Sequence, residues 1–354
     1  MADPQWRNLE CFPAAAKEWS SYYPLLNMRV PGEKRVRKHL NTALPTYPIL
    51  LSSPATNGRY LPPGQLAPHV VDLRLQKVTR HMAWMMFICI PATILLAIGV
   101  DPRILSGPLL TSVVSVTLYV YFNYRLAYTT DALADRWQFY AWCFARGTGY
   151  VYGFLGFMLC IGAAQLLGGA WLGSIDNYLQ ALGMLYVGMP ESGEWWRVVT
   201  GTLLHAGNAH WLANTLVGAG LIYVYGPVSG PRVMAVIAVT AILSFITVYV
   251  TQGIWPSAKD GMIGISGGIG GMVGYQLAAN LRYRSSFPDY FYITTMFVAA
   301  ITLLIVSLQT QLDSFIVHLS GCAYGVMLGY ITRPVGDGFL APTDASRDGA
   351  MATP

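Results

Sequence analysis

The chain has 354 residues, of which 54% are apolar and only 11% charged. A soluble domain carries about 25% charged residues, so this chain has too little charge to wet its surface, and a mean hydropathy of +0.43 marks it as a membrane protein. Disorder, collagen-like repeats and a small disulfide scaffold are excluded. The net charge of +5 is unevenly spread: residues 1–80 hold 11 Lys and Arg against 5 Asp and Glu, a balance of +6 that leaves −1 for the remainder.

Residues 1–80 are rich in Pro, Ser, Asn and charge, with a basic cluster at Lys34, Arg35, Arg37 and Lys38 and proline punctuation from Pro45 to Pro68. No helical period persists there, which predicts an extended, partly ordered extramembrane region. The opening residues lack the compact apolar run of a secretory signal. As a mitochondrial presequence they are poor, because Asp3, Glu10, Glu18 and Glu33 interrupt the basic face such a peptide needs.

Apolar blocks of about 20 residues follow, the length that crosses about 30 Å of hydrocarbon. They predict helices over 81–100, 107–126, 147–172, 200–225, 232–252, 263–281, 290–309 and 313–332. The first two form a transmembrane hairpin (81–128) across Asp101-Pro102-Arg103. A polar connector at 129–146, with Asp131, Asp135 and Arg136, separates it from a six-helix core at 147–333, and 334–354 form a flexible tail. The expected fold is an all-α polytopic membrane protein of two plus six helices. Basic residues of alternate loops fall on one side and Asp176, Glu191, Glu194, Asp260 and Asp313 on the other, so both termini are expected on a cytosolic or matrix side.

Ionisable groups at membrane depth cost several kcal/mol unless they pair or line a wet cavity. Three of the six histidines, His205, His210 and His318, lie within the last six spans. On a helix His210 and Asn214 are four residues apart and aim at one spot, whereas His205 lies about 140° round and is expected to brace a loop. Two donors aimed together suit a developing oxyanion; the plainer alternative is polar glue between helices.

Gly264-Ile265-Ser266-Gly267-Gly268 satisfies the nucleophile-elbow pattern of soluble hydrolases, but no strand precedes it and an apolar helix follows. The glycines instead predict a helix N-terminus near Ser266, where free backbone N–H groups favour an anionic oxygen. Alone, such a run also fits close helix packing. In the last span Gly321, Gly325 and Gly329 follow His318 within about 60° of its face, giving a smooth groove crowned by an imidazole. Gly270 and Gly274 lie near the Ser266 face. If the two faces pack, Ser266 and His318 meet as nucleophile and base.

With these segments assembled, residues 147–333 resemble the rhomboid family of intramembrane serine proteases. The resemblance is carried by Glu194-Trp195-Trp196-Arg197, by His205, His210 and Asn214, by Gly264-Ile265-Ser266-Gly267, and by His318-Leu319-Ser320-Gly321-Cys322-Ala323-Tyr324-Gly325. It implies that Ser266 attacks the scissile carbonyl and His318 takes its proton, with His210, Asn214 and the Ser266 backbone N–H as oxyanion hole. Trp196 and Arg197 would hold a half-immersed loop, and Gly264, Gly267, Gly321 and Gly325 would set the close packing. Substrates would be single transmembrane helices whose upper end unwinds.

Two positions depart from the family pattern: Gly270 stands where an aromatic often supports the His ring, and Val317 where a small residue often precedes it. The alternative reading is therefore a rhomboid-like protein without activity that binds transmembrane clients for trafficking, quality control or import. A transporter is favoured only by the broken, Gly-rich helix. The expected partners are transmembrane-helix substrates or clients and the bilayer, with residues 1–80 available to a membrane complex and no nucleic acid implied. The five cysteines and six histidines form no ligand set, so no cofactor or metal is expected. Extra helices before the core and a basic N-terminal region are similar to mitochondrial inner-membrane rhomboids; a plasma-membrane or secretory-pathway location is the alternative.

Overall fold

A computed structural model describes residues 4–7, 12, 14–15, 17–41, 49–71, 73, 130–183, 193–252, 262–289, 291, 312–336 and 339–340. The spans expected at 81–100 and 107–126, and so the hairpin at 81–128, lie outside the described residues, as does all but Phe291 of the span expected at 290–309 and most of the tail beyond 334.

The N-terminal region is folded rather than extended. Strands β1 (Ser20–Tyr23), β2 (Met28–Pro31) and β3 (Leu50–Ser52) form an antiparallel sheet in the order β2-β1-β3, with Ser20 opposite both Pro31 and Ser52. Asn27, at φ +47°, turns the chain between β1 and β2, a conformation its short amide side chain tolerates. The basic cluster lies on helix α1 (Glu33–Asn41), which buries Val36 against Tyr23, Ile49 and Leu51 while its charged residues stay in solvent. Arg37 pairs with Glu33 one turn away and lies over the Trp19 ring at 5.2 Å.

The remaining described chain is mostly helical, as expected of a membrane protein. Helix α2 (Thr130–Trp171) absorbs the span expected at 147–172 and continues through 130–146, so the polar connector is helical. The reason is docking: Arg136 and Gln138 are buried, and Gln138 Nε2 donates to the Arg7 carbonyl at 3.0 Å. After the short helix α3 (Ile175–Leu182) come α4 (Asn208–Ser229), α5 (Arg232–Gln252), α6 (Ser266–Arg282) and α7 (Leu312–Ile331). α5 has the expected bounds and α7 differs by one residue at each end. The span expected at 200–225 begins only at Asn208, because residues 201–203 form a separate 3₁₀ turn. Ala134–Trp171, His210–Ser229 and Arg232–Thr251 are each long and apolar enough to cross a membrane, and Phe315–Ile331 is a shorter apolar helix.

α6 and α7 form the tightest pair and run parallel. A Cβ on Gly321 would strike the Gly267 carbonyl and one on Gly325 the Gly271 carbonyl, so the two backbones touch without side chains between them. The row on α6 is Gly267, Gly271 and Gly274; Gly274 is where the sequence puts it, and the rest of the row is turned from the expected Gly270. On the other side, Gly267 meets Ser244, Gly268 the Ile237 carbonyl and Gly271 Thr240, all on α5. α6 is thus the buried central helix.

The N-terminal module caps the end of the bundle where α4, α6 and α7 finish. Phe12, Tyr22, Leu50 and Tyr60 share one core with Phe139, Trp142, Tyr225, Phe287, Phe291 and Phe339. Arg7 donates to the Ser285 carbonyl at 3.1 Å and the Gln5 N–H to the Phe339 carbonyl at 2.9 Å. Ser266 opens α6 at the opposite end, roughly 24 Å away at 1.5 Å per residue.

Candidate active site

The first loop is pinned by a buried arginine. Arg197, 6% exposed, donates through Nε to Glu194 Oε2 at 3.0 Å and through Nη1 to the Gln180 carbonyl at 2.7 Å, and its guanidinium lies 4.5 Å from the Trp196 ring centroid. One side chain thereby joins α3 to the turn before residue 197. Trp195 meets Tyr249 of α5 edge to face at 5.5 Å.

The turn leading into Ser266 is held from the same loop. Gly264, at φ +124°, takes a conformation that glycine adopts without steric cost. Its N–H donates to the Gly201 carbonyl at 2.9 Å, and Gly201 is itself hemmed in: a Cβ there would lie 2.8 Å from the Gly183 carbonyl and 3.0 Å from Phe245 Cε1. Ser266 is the first residue of α6, as the glycine pattern predicts, and so stands at the positive end of that helix.

Two expected residues, His210 and Ser266, come together at Gly264. A Cβ placed on it would lie 2.9 Å from His210 Cε1, 3.2 Å from His210 Nε2 and 3.8 Å from Ser266 Oγ. The Ala206 N–H donates to His210 Nδ1 at 3.4 Å, which requires that nitrogen to be unprotonated and puts the proton of the neutral ring on Nε2. The imidazole therefore presents an N–H donor beside the serine. Asn214, one turn along α4, is 7% exposed, and its Nδ2 has no partner among the described residues. An unpaired buried donor is costly unless something accepts from it.

His318 is brought in by the glycine contact. Gly321, one turn after it, lies on Gly267, the neighbour of Ser266, and the offset that pairs 267 with 321 and 271 with 325 sets His318 level with Gly264. Its ring is within electrostatic reach of His210. Val317 is accommodated because residue 267 has no side chain: Val317 Cγ1 would be 2.9 Å from a Cβ there. Ser266, His210 and His318 are half-buried, so each keeps some access from outside.

His205 is wholly buried and sits edge to face with His210 at 5.3 Å, between the 3₁₀ turn and α4, in keeping with a bracing role. Its backbone is held by Gln165 of α2, which the sequence reading missed. Gln165 Nε2 donates to the His205 carbonyl at 2.7 Å and Oε1 accepts from the His205 N–H at 3.0 Å. A lone glutamine in an apolar span was the available signal. Gly201 and Ser244 were also missed; both act through backbone or close packing, which leaves no chemical signature in a sequence.

Residues 192–335 match the family model of the rhomboid domain. The match starts after α2, later than the residue 147 at which the sequence resemblance was drawn. No curated protein is significantly similar to the chain.

Proposed function

We propose that the chain, whose residues 192–335 match the rhomboid-domain model, is a multi-pass membrane protein of the rhomboid family and an intramembrane serine protease acting through Ser266 and His318. The observation that carries the reading is the backbone contact between Gly267 and Gly321, which sets the start of the serine's helix against the turn that follows the histidine. Ser266 Oγ attacks the scissile carbonyl and its proton passes to His318, which returns it to the leaving amine. The oxyanion is received by His210 Nε2–H, Asn214 Nδ2–H and the Ser266 N–H. Each such donor contributes about 2.7–4 kcal/mol to lowering the barrier. The substrate class is a transmembrane helix that unwinds locally, because a peptide bond inside a helix is shielded by its own turn.

A client-binding protein without turnover is the second reading, favoured by Gly270 in place of a ring that would brace the imidazole. One experiment separates the two. In bilayer-reconstituted protein, a fluorophosphonate should label the wild type and not Ser266→Ala, and a co-reconstituted transmembrane substrate should be cut only by the wild type. Equal cleavage by both would end the protease reading, and absent labelling with stable client co-purification would favour the second. For the compartment, we favour the mitochondrial inner membrane, with the N-terminal module on the matrix side, on the basic charge of residues 1–80 and the spans the sequence predicts before the core; membrane fractionation tests this against a plasma-membrane or secretory location.

A further inference from the structure

We propose that Gln165, which lies on α2 outside the matched domain, is a positioning residue for the oxyanion side of the site; the inference rests on the protease reading. Its amide uses both functions on one residue, donating to the His205 carbonyl and accepting from the His205 N–H. Only glutamine brings a donor and an acceptor to that reach: a glutamate carboxylate has no donor, and asparagine is one methylene short.

The consequence runs through a single peptide plane. The peptide joining His205 to Ala206 is planar, and its C=O and N–H point in opposite directions. Gln165 holds the C=O edge at 2.7 Å, and the N–H edge donates to His210 Nδ1 at 3.4 Å. Fixing one edge aims the other. With Nδ1 engaged, His210 keeps its proton on Nε2, the nitrogen that lies over Gly264 beside Ser266. Released from Gln165, the plane is free to tip, and both the orientation of the ring and its tautomer lose their determinant.

A second anchor brackets His210 from the other side. Trp211 Nε1 donates to the Met158 carbonyl at 2.9 Å, and a Cβ on Gly162 would lie 3.0 Å from the Trp211 ring. Met158, Gly162 and Gln165 sit at i, i+4 and i+7, one stripe along α2. That stripe holds residues 205 and 211, the two sides of His210, and places the donor helix relative to the serine.

The test uses full-length protein in bilayers, with Gln165→Met removing both hydrogen bonds and Gln165→Asn withdrawing the amide by one methylene. Both should lower kcat by about tenfold or more with KM held within about twofold, because an oxyanion donor acts only in the transition state. In ¹⁵N-histidine spectra the wild-type His210, assigned by its loss in His210→Ala, should show an unprotonated Nδ1 and a protonated Nε2. The variants should show a mixture of tautomers. Wild-type kcat in either folded variant, or an unchanged His210 signature, overturns the inference. If Gln165→Met does not fold, Gln165→Asn decides it. Should Ser266→Ala leave labelling unchanged, the protease reading falls, while the nitrogen spectra still decide whether Gln165 sets the His210 ring.

Discussion

At the capped end of the bundle the core is made of rings: Phe139 meets Phe291 at 4.9 Å, Phe287 stacks on Phe291 at 5.8 Å, and Trp142 meets Phe339 at 5.8 Å. At the other end it is made of glycines and short polar groups, and Asn214 Nδ2 is buried with no partner among the described residues. Burying rings lowers the free energy of the fold, whereas an unpaired buried polar atom raises it. The molecule therefore packs large rings at the capped end and small residues at the end where chemistry is proposed. Substitutions at the two ends should separate stability from turnover.

The largest effect is expected at the ring end. Phe139 is fully buried and touches Phe287 and Phe291, so Phe139→Ala should cost about 3–5 kcal/mol of stability. Protein that remains folded should label at Ser266 at the wild-type rate. Thermal unfolding in detergent checks the first statement and probe kinetics the second; slowed labelling at a temperature where the variant is fully folded would show that the two ends are not separable.

Asn214→Ala is the opposite case. Removing a transition-state donor should reduce kcat by about 10²–10³. Stability should hold or rise slightly, because the substitution deletes a buried donor that no described residue satisfies. Parallel measurement of kcat and the melting midpoint tests the pair. A large fall in melting temperature with kcat retained would mean that Asn214 is structural glue.

The contrast between the ends also explains what the sequence made legible. Apolar blocks locate α5 to the residue because Arg232 and Gln252 bound it, and the polar residues in those blocks stand out because a membrane should exclude them. Ser266, His210 and His318 were visible on that ground; the structure puts His210 and Ser266 beside Gly264, and His318 on the helix packed against α6. The ring end was far less legible. Its strands are three or four residues long, too short for a period-two pattern to emerge, and residues 130–146 look like a loop although Gln138 among them is buried and bonded to the module. Gln165 escaped because its partners are backbone atoms 40 positions away, to which side-chain pattern is blind.

The smallest effect sharpens the comparison by asking whether the module responds to acid on its own. His39 of α1 shares a contact with the Tyr23 hydroxyl at 2.9 Å, and its pKa is lowered by burial and, less so, by Arg35 and Lys38. A neutral ring can accept from that hydroxyl at one nitrogen; a protonated one cannot. The unfolded chain then binds a proton more readily than the folded one, starting from the ordinary value of 6.5. His39 therefore leaves the module at full stability above pH 6.5, and stability should decline as pH falls from there toward the lowered folded-state pKa. Hydrogen exchange over residues 20–52 of the full chain should quicken on acidification through that window, and His39→Asn should flatten the response. The site lies at the far end of α6, so exchange in the turn at 262–265 should not follow the His39 substitution. If it did, the two ends would be communicating along the central helix, and the division of labour between rings and glycines would fail.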